Sequence, residues 1–490
     1  MSVTIVVDKP KDWPLKLPGV ELVSARSYLT DPAFSDMKGL KVFNLCRSYR
    51  YQSLGYYVSL LAEARGHKPL PNVATIQNFK SQSIIRLISD DLDELIQKSL
   101  APLQADRFTL SIYFGRNVAK RYDRLSLRLF NLFPAPMLRA QFARNSHKWQ
   151  LQHIQPIAAS EIPEEHLPFV VEVASAYFAG RRPNPRKRSV ARYDLAILYD
   201  PAEKQAPSDP KALRRFVKAA EALGLSTEII GKDDYGRLPE FDALFIRETT
   251  SVNHHTYRFA RRAAAERMVV VDDPDSILKC SNKVYLAELL DHHNIPTPKT
   301  LIVHRDNVRD IVRQLGLPCV LKQPDSAFSQ GVIKVDSEAS LKMEADRFLD
   351  KSDLVIAQEF VPTDFDWRVG VFDGEPLYVC KYYMARKHWQ IIKQVSAGKN
   401  LTGRHETLAV EDAPKQVVKT ALRAANLIGN GLYGVDIKEY GGKYYVIEVN
   451  DNPSIETGVE DEVLKQELYR RIMKVFLKRI EARTSGRMKA

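Results

Sequence analysis

Short apolar runs alternate with helical patterns along most of the chain. The runs that predict strands are Thr4–Val7, Leu40–Leu45, Phe108–Phe114, Leu195–Tyr199, Ala243–Ile246 and Met268–Val271. The patterns that predict helices are Gly55–His67, Pro210–Leu223, His254–Arg267 and Asn282–His293. This alternation predicts a mixed α/β and α+β fold with a small parallel sheet in the middle of the chain.

A final helical pattern runs from about Glu462 to Ile480. Its apolar residues recur at helical spacing and include Leu464, Leu468, Ile472, Phe476 and Ile480. The stripe indicates a packing face rather than a membrane-binding helix.

The composition is that of a globular protein with several domains. The chain has 490 residues, of which 44% are hydrophobic and 27% charged, so about three domains are expected. It contains no run of 18 apolar residues, and its start lacks the apolar core of a signal peptide, so we expect a cytoplasmic protein with no membrane partner. The four cysteines form no CxxC pair, which argues against zinc and disulfides and predicts reduced, buried thiols.

The positive charge is concentrated in the first part of the chain. Residues 1–190 carry 27 Lys and Arg against 16 Asp and Glu, whereas the remainder carries 45 against 44. The densest region places several cations at helical spacing and includes Arg116, Lys120, Arg121, Arg124, Arg128, Arg139 and Arg144. Two interpretations stay open: a solvated helix face, or a surface for an anionic partner such as an acidic peptide, a nucleic acid or a nucleotide.

The segment from Leu432 to Pro453 predicts a β-hairpin with an acidic face. A three-residue loop, Gly441-Gly442-Lys443, would pair Tyr440 with Tyr444 and place Asp436 opposite Glu448. A two-residue Gly-Gly turn would shift the pairing by one and separate the two carboxylates.

Asn450 lies two residues beyond Glu448 and therefore falls on the same face of the predicted strand. Two carboxylates and an amide oxygen suit Mg²⁺ or Mn²⁺, and Mg²⁺ usually shares its coordination with substrate phosphates. The hairpin therefore predicts a metal site for a phosphorylated nucleotide. An ordinary solvated hairpin face is the alternative.

Two segments upstream offer groups for that nucleotide. Lys322 ends a predicted strand, and the small-residue loop that follows offers backbone N–H groups to phosphates at Ser326, Ser329, Gln330 and Gly331. A second strand ends in Gln358, Glu359 and Phe360, where backbone groups suit an adenine edge and a carboxylate suits a ribose hydroxyl.

A further hairpin is predicted around the turn Asp373-Gly374. Asp366 and Arg368 share a face of its first strand, and its return strand contributes Lys381 as a second candidate catalytic cation beside Arg368. A buried ion pair between Asp366 and Arg368 is the structural alternative.

The order of these motifs resembles the ATP-grasp superfamily, and within it the RimK-like carboxylate–amine ligases, over about residues 195 to 485. The motifs are SNK at Ser281–Lys283, VLKQPDSAFSQGV at Val320–Val332, QEF at Gln358–Phe360, DWR at Asp366–Arg368, and GVDI…IEVNDNPSIE from Gly434 to Glu456. The stretch Tyr51–Phe79 resembles the domain called RimK-like ATP-grasp N-terminal.

The resemblance implies roles for individual residues. It implies phosphate contacts for Lys283 and Lys322, and an adenine and ribose cradle at Gln358–Phe360, with Asp366 as a further nucleotide contact. It implies that Arg368 lies beside the transferred groups and that Asp436, Glu448 and Asn450 bind the metal. One departure concerns an Arg-Ser-Asn triplet of the family, for which the loop Met384–Arg404 offers only Lys399-Asn400 as a near match.

The resemblance also implies an organisation. We expect a basic N-terminal domain at residues 1–180, a linker at 181–192, a pre-ATP-grasp domain at 193–278 and an ATP-grasp domain at 279–490. Within the last, the nucleotide-binding subdomain is expected at about 300–362 and the metal-binding subdomain at about 363–485.

The resulting hypothesis is an ATP-dependent ligase that joins a carboxylate to an amine through an acyl phosphate. An amino acid, a peptide or an acidic protein tail would be the substrate, and a homo-oligomer is possible. The alternative is a nucleotide-regulated RNA- or ribosome-associated protein that binds through the basic N-terminal domain.

Overall fold

The computed structural model describes residues 3–13, 20–37, 39–145, 148–179, 192–325, 331–385, 388–395 and 399–484. The chain divides into two compact units. The first contains Met1–Asp194, Gly224–Ser226 and Asp233–Asp242, and the second contains Leu195–Leu223, Thr227–Lys232 and Ala243–Ala490. The predicted linker 181–192 lies almost wholly outside the described residues, so the predicted domain boundaries stay predictions.

The first unit contains a parallel sheet and an antiparallel sheet. Its strands are β1 (Val3–Val7), β2 (Glu21–Ser24), β3 (Lys41–Asn44), β4 (Lys68–Leu70), β5 (Arg107–Tyr113), β6 (Met137–Asn145) and β7 (Lys148–Pro156). The parallel sheet has the order β2-β1-β3-β4, and the antiparallel sheet has the order β5-β6-β7. Strands predicted near Thr4, Leu40 and Phe108 are confirmed.

Eight α-helices cover these sheets in the described part of the first unit. They are α1 (Ala25–Thr30), α2 (Pro32–Asp36), α3 (Leu54–Ala64), α4 (Val73–Asn78), α5 (Gln82–Asp91), α6 (Asp93–Leu100), α7 (Asp123–Leu132) and α8 (Leu167–Ala179). Ser53 caps the start of α3, and Gly66, with φ of 70°, follows its end as the sequence predicts.

The cations of the first unit do not share one helical face. Only Arg124 and Arg128 lie on a common α-helix, α7, because the region also contains two strands and a 3₁₀ turn. Arg116 pairs with Asp123 at 2.9 Å. The prediction of a helical basic face is therefore wrong for most of these residues.

The second unit contains a parallel sheet, a four-stranded antiparallel sheet, a five-stranded antiparallel sheet and a small hairpin. Its strands are β8 (Tyr193–Leu198), β9 (Leu225–Ile230), β10 (Ala243–Ile246), β11 (Val269–Val271), β12 (Thr300–Val303), β13 (Cys319–Lys322), β14 (Val332–Val335), β15 (Val355–Glu359), β16 (Phe365–Phe372), β17 (Glu375–Tyr383), β18 (Ile392–Val395), β19 (Lys399–Thr402), β20 (His405–Leu408), β21 (Leu432–Tyr440) and β22 (Lys443–Asp451).

The strands of the second unit form three larger sheets. The first sheet has the order β11-β10-β8-β9, with β10 parallel to both β8 and β11. The four-stranded sheet has the order β12-β15-β13-β14, and the five-stranded sheet has the order β20-β17-β16-β21-β22. Strands β18 and β19 pair only with each other in the described structure.

The helices of the second unit are α9 (Pro210–Ala222), α10 (His255–Ala265), α11 (Pro274–Ser281), α12 (Lys283–His292), α13 (Asp310–Leu315), α14 (Glu338–Leu349), α15 (Lys415–Ile428) and α16 (Gln466–Thr484). Helix α15 packs Val417, Ala421 and Ile428 on the apolar face of the five-stranded sheet. The final stripe is a packing face as predicted at Leu468, Ile472, Phe476 and Ile480, which are fully buried. Leu464 lies before the start of α16 and is half-buried.

The four cysteines lie in the interior of the protein. Cys46, Cys280, Cys319 and Cys380 are free and buried, which confirms the prediction. Within the described ranges, no helix has the length and apolar character needed to cross a membrane.

A close approach in the five-stranded sheet supplies a test of the packing. A Cβ at Gly370 would lie 2.3 Å from the ring of Tyr378, a fully buried side chain. We expect Gly370→Ala to cost about 1–3 kcal/mol of stability, seen as a lower midpoint of thermal unfolding. Gly231→Ala is the matched control because nothing lies within 4 Å of the added Cβ. Equal midpoints for the two variants would contradict this packing.

Candidate active site

The hairpin of β21 and β22 places its two carboxylates side by side. Asp436 pairs with Glu448, and Gly434 pairs with Asn450. Paired residues of antiparallel strands share a face of the sheet. The predicted pairing of Asp436 with Glu448 is therefore confirmed.

The turn that produces this pairing differs from the prediction. Tyr440 pairs with Lys443, so the turn has two residues, Gly441 and Gly442, with φ of 57° and 72°. Both positive values suit a type I′ turn. Ile437 pairs with Val446, and the next pair is Asp436 with Glu448, so Ile447 is an extra residue in a β-bulge. The bulge compensates for the one-residue shift that the short turn imposes.

Arg368, on the neighbouring strand β16, forms an ion pair with Asp436. Its Nε and Nη2 each donate to a carboxylate oxygen of Asp436 at 2.7 Å, and Asn450 Nδ2 donates to Asp436 Oδ2 at 3.1 Å. Burial raises the pKa of the Asp436 carboxyl above its ordinary value, although Arg368 opposes this effect. A bidentate pair of this kind fixes both side chains.

Asp366 shares the face of Arg368 but pairs with a different cation. Lys438 Nζ lies 2.5 Å from Asp366 Oδ1 and donates to Thr363 Oγ1 at 2.7 Å. The alternative of an ion pair between Asp366 and Arg368 is therefore wrong. Lys438 was missed in the sequence, although its position two residues from Asp436 on a strand placed it on the same face.

Lys283, the first residue of helix α12, forms an ion pair with the hairpin. Asn282 caps this helix by accepting from the N–H groups of Val284 and Tyr285, and Lys283 Nζ lies 2.7 Å from Glu448 Oε1. Burial by itself raises the pKa of Glu448, but Lys283 and Lys322 outweigh burial and lower the pKa overall.

Lys322 and Gln358 lie on adjacent strands of the four-stranded sheet. Lys322 Nζ donates to Gln358 Oε1 at 2.7 Å, and Gln358 Nε2 donates to Thr300 Oγ1 at 2.9 Å. Burial lowers the pKa of Lys322 to about 8, against the opposing influence of Glu448. Glu448 and Asp366 raise this pKa, whereas Lys283 and Lys438 lower it.

The other predicted nucleotide contacts are only partly described. The Glu359 backbone N–H donates to the Lys299 carbonyl at 2.9 Å, and Lys334 Nζ lies 5.0 Å from the centre of the Phe360 ring. Gly331 accepts a backbone hydrogen bond from Gln323 at 2.9 Å. Ser329 and Gln330, together with the side chain of Asn400, lie outside the described residues.

The structure does not bring Lys381 to the acidic face. Lys381 pairs with Trp367, which alternates with Asp366 and Arg368, and its Nζ lies 3.3 Å from Glu406 Oε2. The reason is a second β-bulge: Val371 pairs with Pro376 and Gly370 with Tyr378, so Leu377 is an extra residue. The geometry gives no support to a catalytic role for Lys381.

The acidic face fits a magnesium ion by the chemistry of its donors. Asp436 and Glu448 supply carboxylate oxygens, and Asn450 supplies an amide oxygen from the same face. The described residues contain no group of three or more His, Cys, Asp or Glu placed to hold a metal by themselves. Such a site would need phosphate or water oxygens as well, and the metal assignment stays a prediction.

The Arg368–Asp436 pair supplies a test that needs no substrate. Arg368→Met leaves a largely buried carboxylate without its cation, so we expect a loss of about 3 kcal/mol in the free energy of unfolding. The double variant Arg368→Met/Asp436→Asn should recover part of this loss, because the uncompensated charge is also removed. Unfolding in urea measures both; a double variant less stable than the single one would refute the pairing.

Two family models match separate parts of the chain. Residues 25–173 match the family model of the RimK-like ATP-grasp N-terminal domain, and residues 280–474 match that of the RimK-like ATP-grasp domain. The alpha-aminoadipate–LysW ligase LysX of Sulfolobus acidocaldarius is 28% identical over 197 residues, which cover 39% of this chain and 68% of that protein. A probable alpha-L-glutamate ligase of Vibrio vulnificus is 25% identical over 234 residues, which cover 46% and 74%.

Among solved structures, D-alanine–D-alanine ligase from Bacillus anthracis matches with a TM-score of 0.46 and 14% identity, covering 59% of this chain and 99% of that one. The two family models together match both units of the chain. Residues 280–474 therefore form a RimK-like ATP-grasp domain, and residues 25–173 form a RimK-like ATP-grasp N-terminal domain.

Proposed function

We propose that the chain is an ADP-forming carboxylate–amine ligase that joins an amino acid to another amino acid, a peptide or a protein tail. The matched ATP-grasp domain supports the reaction class, and the relatives are ligases by name. The domain division predicted from the sequence belongs to this proposal, as does a cytoplasmic location.

The observation that carries the proposal is a compact set of opposite charges in the second unit. Four cations, from Lys283, Lys322, Arg368 and Lys438, surround the carboxylates of Asp366, Asp436 and Glu448. Cations in this number exceed what three carboxylates need for pairing. A polyphosphate supplies the additional negative charge, and carboxylates within the same set suit a divalent cation.

The proposed reaction has two steps. A carboxylate oxygen of the substrate attacks the γ-phosphorus of ATP, the bond to the bridging oxygen of ADP breaks, and an acyl phosphate forms. The amine nitrogen then attacks the acyl carbon, inorganic phosphate leaves, and the nitrogen loses a proton. The result is an amide, ADP and phosphate.

The side chains of the site act mainly by position and charge. Lys283 and Lys322 would bind nucleotide phosphates, and Arg368 would stabilise charge on the transferring phosphoryl group. Asp436, Glu448 and Asn450 would hold Mg²⁺ or Mn²⁺, which neutralises phosphate charge when bound. The strand end at Gln358–Phe360 would hold the adenine and ribose.

Water must be kept from an acyl phosphate, which it hydrolyses. The loop Met384–Arg404 is proposed to cover the intermediate. Within its described part, β18 and β19 pair as antiparallel strands, with Gln394 opposite Asn400.

The first unit is proposed to attract an acidic substrate or partner. Lys120, Arg121, Arg124 and Arg128 are all exposed, in the 3₁₀ turn and in the helix α7 that follows it. Exposed cations at close spacing raise the association rate of anionic molecules.

Removal of either carboxylate of the hairpin tests the catalytic role. We expect Asp436→Asn and Glu448→Gln each to reduce ADP formation by at least ~100-fold, because the charge that holds the metal and phosphates is lost. Glu375→Gln, an exposed carboxylate in the same sheet, is the control and should retain full activity. Near-normal turnover in either hairpin variant would refute the assignment.

A panel of amino acids tests which substrate stimulates the release of phosphate from ATP. Each amino acid, alone and in pairs, is incubated with Mg²⁺ and ATP, and phosphate release is measured. We expect release to depend on at least one amino acid, with an amide product seen by mass spectrometry. If no amino acid stimulates release, and RNA binds instead at physiological salt, the ligase proposal is wrong.

A further inference from the structure

The parallel sheet of the second unit ends beside the acidic hairpin. Strands β8, β10 and β11 run in the same direction, and their carboxyl ends lead into Glu203, Glu248 and Asp272 within five residues of each strand. Ligands of parallel α/β sheets bind outside the carboxyl ends of the strands. A substrate subsite is therefore expected at this edge of the sheet.

Glu248 has one oxygen that the surrounding structure leaves unused. The residue is 1% exposed, and its Oε2 is hydrogen-bonded to His255 Nε2 at 2.5 Å. Among the described residues, the other oxygen, Oε1, is buried and has no hydrogen-bond partner. Buried carboxylate oxygens are nearly always paired, so this one requires an explanation.

The surroundings hold Glu248 firmly in place. The next residue, Thr249, binds the Glu203 carboxylate through its hydroxyl and through its backbone N–H at 3.1 Å. On the other side, Asn452 Nδ2 donates to the backbone carbonyl of Glu248 at 2.5 Å. The carboxylate is thus fixed from its backbone and from its own Oε2.

The same contacts connect Glu248 to the hairpin. Asn452 lies two residues beyond Asn450, and Arg247 Nη1 donates to Asn452 Oδ1 at 2.6 Å. Asp272 accepts from the backbone N–H of Asn452 at 2.6 Å. The loop that carries Glu248 is therefore attached directly to the end of β22.

We propose that Glu248, oriented by His255, binds the ammonium group of an amino-acid substrate; this inference rests on the proposed ligase function. An ammonium group has three N–H donors and a positive charge. It therefore suits a fixed carboxylate oxygen that accepts no hydrogen bond from the described residues. The described part of the edge also offers the nearby Glu203 carboxylate, which adds to the negative charge. Glu248 contacts substrate, and His255 is a positioning residue.

The test compares a ligand that carries the amine with one that lacks it. Equilibrium binding of L-glutamate and of glutarate is measured by calorimetry in the presence of Mg²⁺ and a non-hydrolysable ATP analogue. Wild-type protein should bind L-glutamate at least tenfold more tightly than glutarate. In Glu248→Gln this preference should fall close to one, because the amide has no charge to attract the ammonium group. His255→Gln should reduce the preference less.

Controls separate this subsite from folding and from catalysis. Glu338→Gln, at the exposed start of α14, should keep the wild-type preference. The midpoint of thermal unfolding shows whether each variant folds. If Glu248→Gln does not fold, His255→Gln is used as the test variant. An unchanged preference in the folded variants overturns the subsite, as does a wild-type protein with no preference or no binding of L-glutamate. Amino-acid-dependent ADP formation in the panel would still support the ligase in that case.

Discussion

Strand register is the constraint on which the rest of the site depends. The two long hairpins of the five-stranded sheet each contain one extra residue, Ile447 in β22 and Leu377 in β17. The first bulge turns Glu448 toward Asp436, and the second turns Lys381 away from it. Because side chains alternate along a strand, one residue more or less decides which charges meet. The acidic face therefore follows from backbone geometry as much as from residue type.

Charge compensation is the second organising interaction. Each carboxylate of the face has a cation: Arg368 for Asp436, Lys438 for Asp366, and Lys283 for Glu448. Burial makes an unpaired charge costly, so these contacts stabilise the fold while they keep the charged side chains of the face close together. The same low-dielectric surroundings would strengthen the interactions of a substrate bound there.

The sequence predicts the face but not the details that produce it. Polar–apolar alternation favours the pairing of Asp436 with Glu448, since a register shifted by one residue would have placed a carboxylate among the apolar side chains. A three-residue loop and a two-residue turn with a bulge satisfy that alternation equally, so the turn could not be chosen. The bulge at Leu377 leaves no mark in the sequence pattern, so the pattern could not show that Lys381 lies away from the acidic face. Glu248 was missed because it lies on a loop, where periodicity carries no information.

The ion pair between Lys283 and Glu448 has a consequence for the order in which ligands enter. A nucleotide that arrived alone would draw Lys283 toward its phosphates and leave Glu448 facing negative charge. A divalent cation that arrived alone would take Glu448 and leave Lys283 facing positive charge. Only joint entry of the two gives every charge a new partner at once. With the proposed roles of Lys283 and Glu448, the uptake of metal and nucleotide would be cooperative, so that each ligand would increase the affinity for the other.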